Sequence, residues 1–215
     1  MKRNYISNSS DSIRMFSNNI LEFLSKVHFS VPLFIYLPVI SYFSFKAFNN
    51  GISVLIFSCW LFAGIAVWTI TEYFLHRYIF HFEPTSKWGR RLHFIFHGVH
   101  HDYPKDARRL VMPPSASVPL AAGFFFLFNT FFTIKMYLFA FFPGFLTGYL
   151  LYDMMHYAMH HYNFKSEFMK KVKKHHMLHH YNDSTKGYGV STALWDVILR
   201  SDFPKKQTHE PSHQG

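Results

Sequence analysis

Ten histidines at helix-face spacings limit the folds open to this chain more than any other feature. They fall in two blocks, and each block follows a pair of apolar stretches long enough to cross a bilayer. The blocks run from His76 to His101 and from His156 to His180, and they hold thirteen of the sixteen histidines. Within them the clusters read His76-x4-His81, His97-x2-His100-His101, His156-x3-His160 and His176-x2-His179-His180. Residues three and four apart share a helix face. His97, His100 and His101 are therefore expected to point one way, as are His176, His179 and His180, while His156 and His160 stand one turn apart. His76 and His81 lie about 140° apart round an ideal helix. They converge only if the helix ends or distorts between them, or if they serve different ions. Neutral imidazole is a common ligand for transition metals. Ten imidazoles exceed what one ion takes, so two ions with about five nitrogens each is the simplest arithmetic.

Composition narrows the class. The chain has 215 residues, 20% of them aromatic, with 27 Phe and only 16% charged. One cysteine, Cys59, rules out an internal disulfide and any Cys-based metal site. The formal charge of +10 could suit nucleic acid, but the apolar blocks make a membrane surface its better explanation.

The expected architecture is an all-α integral membrane protein: four transmembrane helices capped by a cytoplasmic, helical, histidine-rich di-metal domain. Residues 1–28 read as an interfacial segment with a short amphipathic helix. Spans are expected near 29–48, 51–75, 117–134 and 136–155, with Pro38 kinking the first and Pro143-Gly144 the last. Segments 76–116 and 156–202 form the cap, with helices near 86–101 and 164–180, and the unit of spans and cap runs from 29 to 202. Residues 203–215 are expected to be disordered. Twenty of the 22 Lys and Arg lie in the N-terminal segment, the two cap segments and the C-terminal tail. The positive-inside rule then puts both termini and every histidine cluster on the cytoplasmic side.

Two metal ions above four apolar helices suggest chemistry on a lipid. Carboxylates near the clusters are few, namely Glu72, Asp102, Asp153 and Asp183, and a zinc hydrolase needs fewer ligands. A nitrogen-rich pair suits O2 chemistry better. A membrane metal transporter, a metal-binding sensor and a bis-histidine haem protein stay open as other readings of the histidines alone. Transporter ligands would be expected nearer the bilayer midplane than these.

The strings EYFLHRYIFHF, LHFIFHGVHH, RRLVMPP, YDMMHYAMHH, HMLHH and KGYGVSTALWD, from about Glu72 to Asp196, resemble the fatty acid hydroxylase superfamily, which includes sterol desaturases. Within it they are most similar to the fatty acid 2-hydroxylase branch. The resemblance implies a di-metal centre held by His76, His81, His97, His100, His101, His156, His160, His176, His179 and His180. It implies O2-dependent hydroxylation at C2 of a long acyl chain, free or in a sphingolipid such as ceramide. Iron is then the catalytic metal, with zinc possible in purified protein. The acyl chain is expected among the four spans, with its head end at the interface. Eukaryotic members carry a fused cytochrome b5 domain, and only 28 residues precede the first span here. Electrons are thus expected from a separate donor of cytochrome b5 or ferredoxin type, in a bacterial inner membrane or the endoplasmic reticulum. A desaturase or a sterol or carotenoid hydroxylase is the alternative within enzymes. The family pattern also implies that His93 is not a ligand. His93, Glu72 and Asp153 are instead candidates to sit behind the ligands, the two carboxylates by orienting the imidazoles of His76 and His156. Asp196 is read as a brace or cap.

Overall fold

The computed structural model describes residues 6, 7 and 9–204, and within these all regular structure is helical. The expected disordered tail falls largely outside the described residues. A short α1 (Asn19–Leu24) precedes α2 (Val31–Asn49) and α3 (Val54–Phe74). α3 runs on without a break as a π-helical segment, Leu75–Phe80. A second composite helix joins α4 (Lys87–His93), a π-helical segment (Phe94–Gly98) and α5 (Val99–Asp102). Then come α6 (Pro114–Phe131), α7 (Lys135–His161), α8 (Glu167–Tyr181) and α9 (Leu194–Ile198).

Four of these helices are long and apolar enough to cross a membrane: α2, α3 with its extension, α6 and α7. α6 starts three residues before the expected span. Pro114 opens it after Pro113, and proline at a first helical position gives up only an N–H that the helix would not use. α7 does not break at Pro143-Gly144 but continues for 27 residues, about 40 Å at 1.5 Å per residue. That exceeds the hydrocarbon thickness of about 30 Å, so its last turns stand clear of the bilayer and bring His156 and His160 into the cap.

α7 is the central post. Its side chains from Leu138 to Met159 are largely buried, whereas α2, α3 and α6 expose Phe34, Leu55, Phe62 and Phe126. Lipid does not drive apolar helices together, so close backbone contact has to. Glycines supply it between α3 and α7. A Cβ at Gly64 would overlap the Phe141 carbonyl, and one at Gly144 would overlap the backbone of Leu61. Gly148 seats the Trp68 side chain in the same way. Aromatic rings fill the rest, with Phe145 edge-on to Trp68 and Phe128.

The N-terminal segment lies across the cap. Ser7 N donates to Asp102 O at 2.8 Å and Val27 N to Arg108 O at 2.8 Å. Arg109 binds the Glu22 carboxylate at 2.7 Å and the Ile13 carbonyl, while Arg91 reaches the Met15 carbonyl. α1 therefore presents an unusual face. Glu22 is only 8% exposed, but Ile20 and Phe23 are 69% and 77% exposed. A helix that turns its acid inward and its apolar side chains outward fits the headgroup boundary of a bilayer. Burial alone would raise the Glu22 pKa. Lys26, the N–H groups of Phe16 and Met15, and Arg109 outweigh it and lower the pKa to about 2.

Two outcomes are expected. Gly144→Leu should separate α3 from α7 and abolish the monodisperse, thermally cooperative protein in detergent, whereas Gly123→Leu, where a Cβ meets nothing, should not. Glu22 has a lowered pKa, so its tether is complete above the unfolded carboxylate value of about 4.3 and is lost as pH falls through about 2. Hydrogen-exchange protection factors over residues 13–27, with the intrinsic pH dependence of the rate removed, should therefore change little from pH 7 to pH 5, and Glu22→Gln should lower them at both.

Candidate metal centre

The ten predicted histidines come together in two groups of five. His76, His81, His97, His101 and His179 form one, and His100, His156, His160, His176 and His180 form the other. In each group the ligand atoms all lie within 4.8 Å of one another. The expectation that each three-histidine cluster points to one place is therefore corrected. On the composite helix, His97 and His101 serve the first group and His100 the second. On α8, His176 and His180 serve the second and His179 the first. Histidines four apart share a group, and the histidine at three residues from the first of the pair crosses to the other.

A two-fold pattern of sources results, although the sequence has no internal repeat. The first group takes a pair from the end of α3, an i, i+4 pair from the α4–α5 helix and one ring from α8. The second takes a pair from the end of α7, an i, i+4 pair from α8 and one ring from α5. The two cap helices thus bridge both groups.

Local structure explains the awkward His76–His81 spacing. The segment Leu75–Phe80 is π-helical, and His81 N donates to His76 O at 3.1 Å, five residues back. A turn closed at i+5 puts residues five apart on one face. The required distortion exists, and both rings reach the same group, their Nε2 atoms 3.2 Å apart.

The nitrogens face each other closely. In the first group, Nε2 of His97 lies 3.1 Å from His76, 3.1 Å from His81 and 2.9 Å from His101, and His179 lies 3.0 Å from His81. In the second, His100 is 2.9 Å from His156 and 3.0 Å from His180, and His160 is 2.9 Å from His176. Two nitrogens bound at right angles to one ion at ~2.1 Å would be ~3.0 Å apart. Protonation points the same way. His76 Nδ1 contacts the Tyr188 carbonyl at 2.5 Å and His179 Nδ1 the Lys186 carbonyl at 2.6 Å. A carbonyl only accepts, so those Nδ1 atoms carry the protons and the Nε2 lone pairs face inward. Lone pairs converging at this distance repel unless a cation lies between them. The donor set fits a metal ion in each group. Burial, and after it the neighbouring imidazoles, hold His97, His100, His101, His176 and His180 well below the usual imidazole range. They are neutral, as ligands must be.

The expected supporting carboxylates act differently from their assignment. Glu72 does not meet His76. Its Oε1 accepts from Val190 N at 2.8 Å and Ser191 N at 2.7 Å, and its Oε2 from Ser191 Oγ at 2.5 Å. Asp153 does not meet His156 either, because it accepts from Tyr149 Oη at 2.8 Å and Met112 N at 3.4 Å. His93 lies outside both groups and lines a large cavity. Asp196 is a brace, with Oδ1 accepting from Tyr188 N at 2.9 Å and Oδ2 from Gly189 N at 2.7 Å. The carbonyls of Tyr188 and Lys186 could not have been picked out, since every residue has one. Their only sequence signal is the glycine-bearing string KGYGVST, which contains no ligand.

The cavity measures about 950 Å³ and is mainly apolar. It reaches from Leu21, Leu24 and the exposed Trp88 and Phe96 to His97, His100 and His156, so it touches both groups. It lies between the N-terminal segment, the cap and the start of α6, rather than among the four spans. Asp153 and Tyr152 are in its wall beside His156.

Removing metal is expected to weaken the fold, because ions that bind only the folded chain stabilise it. One ion at a free concentration 100-fold above its Kd contributes about 2.7 kcal/mol. Stripping purified protein with a chelator should therefore lower Tm by ~5 °C or more, and adding back divalent metal should restore it.

A family model described as fatty acid hydroxylase matches residues 61–201. A dihydroceramide fatty acyl 2-hydroxylase of Arabidopsis thaliana is 36% identical over 187 residues, covering 86% of this chain and 78% of its own. A ceramide very long chain fatty acid hydroxylase of Saccharomyces cerevisiae is 41% identical over 186 residues, with 84% and 47% covered. The fatty acid 2-hydroxylase of Rattus norvegicus is 35% identical over 217 residues, with 90% and 58% covered. The solved structure of full-length Scs7p, in which only the hydroxylase domain is visible, superposes with a TM-score of 0.81 at 37% identity, covering 86% of this chain and 70% of that one. With its ten histidines gathered in the region that the family model spans, this chain belongs to the fatty acid hydroxylase family.

Proposed function

We propose that this protein is a membrane-bound fatty acyl 2-hydroxylase, an oxidoreductase whose metal centre oxidises C2 of a long acyl chain carried as free fatty acid or ceramide. One observation carries this reading beyond the relatives' names. A long apolar cavity ends on histidines of both groups, which suits an extended aliphatic substrate and nothing strongly polar.

The first ion would be held by His76, His81, His97, His101 and His179, and the second by His100, His156, His160, His176 and His180. Iron bound in such a donor set supplies the O2-dependent oxidation of an unactivated C–H bond; zinc, which has no redox chemistry, can fill the sites but not replace it. The chain's own residues do the positioning. Leu21, Leu24, Trp88 and Phe96 form an apolar entrance continuous with the exposed face of α1. The substrate can thus move from the bilayer into the protein without crossing water. Leu120, Met112 and Val111 line the wall and exclude water beside the metals. Depth sets the regiochemistry: the carbon held beside His97, His100 and His156 is the one oxidised.

The Lys and Arg distribution supports a cytoplasmic metal centre and cytoplasmic termini. Electrons would come from an acidic carrier of cytochrome b5 or ferredoxin type. Lys165, Lys171 and Lys174 are exposed on and before α8, the helix that carries three of the ligands, and would attract it.

Expression in cells that make no 2-hydroxylated lipids, followed by mass spectrometry of their fatty acids, is the direct test. It should yield 2-hydroxy acids, and His100→Ala should yield none. A product with a double bond, or with hydroxyl at another carbon, would overturn the reading. Ala116→Phe, which fills the cavity wall, should cut hydroxylation of the longest chains at least about tenfold while leaving the metal content at wild-type level.

A further inference from the structure

Residues 186–191 form a loop with no ligand in it, yet this loop touches the first group at two points. The Tyr188 carbonyl fixes His76 and the Lys186 carbonyl fixes His179. Two carboxylates from opposite sides hold the loop. Glu72 on α3 accepts three hydrogen bonds from Val190 and Ser191. Asp196 on α9, fully buried, accepts from the N–H groups of Tyr188 and Gly189 and from Ser201 Oγ at 2.8 Å. Ser201 Oγ also lies 2.7 Å from Tyr73 Oη, which accepts from Arg77 at 2.5 Å. Both glycines are required. Gly187 has φ +70°, and a Cβ at Gly189 would overlap the Thr192 carbonyl and crowd Asp196.

In the second group, three of the five rings lack such a partner. Among the described residues, the Nδ1 atoms of His156, His176 and His180 are buried and have no hydrogen-bond partner. A second hydrogen bond on the far ring nitrogen orients an imidazole and raises its basicity as a ligand, and losing such a partner typically costs 10–100-fold in metal affinity.

From this difference, we infer that the 186–191 loop is a ligand-positioning clamp for the first group alone, so that the two ions are held unequally. The ion among His76, His81, His97, His101 and His179 is the retained one. The ion among His100, His156, His160, His176 and His180 exchanges. Glu72 and Asp196 are positioning residues that act on the metal through the loop's backbone. This inference rests on the metal-centre reading above, but it does not depend on which lipid reaction follows.

The test uses the full chain in detergent, loaded with zinc. Metal per chain is counted by elemental analysis, and release to a chromogenic chelator is followed in time. Wild type should lose its two ions in two phases whose rates differ by about tenfold or more. To assign the phases, one group is disabled at a time. With His156→Ala and His160→Ala the remaining ion should leave slowly, and adding Asp196→Asn or Glu72→Gln should accelerate its release about 10–100-fold. With His81→Ala and His179→Ala the remaining ion should leave quickly, and the same two carboxamide changes should leave its rate unaltered. A merely structural role for Asp196 would speed release from both groups equally. Circular dichroism and thermal melting of the zinc-loaded variants report a general loss of fold directly. Release of both wild-type ions in a single phase, or equal acceleration from both groups, overturns the unequal clamp. A wild-type chain that binds no zinc at all overturns the metal reading itself.

Discussion

Inward-facing lone pairs on clustered imidazoles are the constraint on which the rest of this structure depends. The histidine Nε2 atoms of each group approach one another at about 3 Å. Without a cation between them those contacts are unfavourable, and an ion bound there would turn them into metal–ligand bonds that hold the cap together. Much of the surrounding architecture serves this approach. α7 is extended past the bilayer to deliver two rings, α3 is underwound into a π-helical segment to deliver two more, and the composite cap helix and α8 each divide their histidines between the groups.

The membrane part solves a separate problem with different forces. Lipid gives apolar helices no reason to associate, so α3 and α7 rely on glycine-mediated backbone contact and interlocking aromatic rings. That rigid pair carries His76 and His81 on one helix and His156 and His160 on the other. The packing inside the bilayer therefore sets the separation of the two histidine groups above it. The cavity forms where packing gives way to the cap, under the N-terminal segment, with one end at the exposed apolar face of α1 and the other on the histidines.

Much of this was legible in the linear chain. The four long apolar helices, the short N-terminal helix and the ten clustered histidines all follow from hydropathy and from spacings of three to five. The misreadings are instructive. Glu72 stands one turn before His76 and Asp153 three residues before His156, so each was expected to hold its neighbouring imidazole. Glu72 instead turns to Val190 and Ser191, and Asp153 to Tyr149 one turn before it and to the distant Met112 N–H. A buried carboxylate takes whatever N–H groups the packed structure presents, and those belong to residues far away in the chain. The acyl chain was expected among the spans because they are the most apolar segments; the pocket between them, lined by Tyr36, Trp68, Phe124 and Tyr149, is small, and the large cavity lies under the cap.

By itself the sequence determined which residues can bind metal and which segments belong in lipid, because side-chain identity and helical period are properties of the chain alone. Only the tertiary structure decided how the ten histidines divide into fives, which of them are braced and where the cavity opens. Those outcomes hang on the meeting of segments up to about a hundred residues apart and on carbonyls such as those of Tyr188 and Lys186. A backbone carbonyl is the same in every residue, so nothing but its position in the folded chain marks it out.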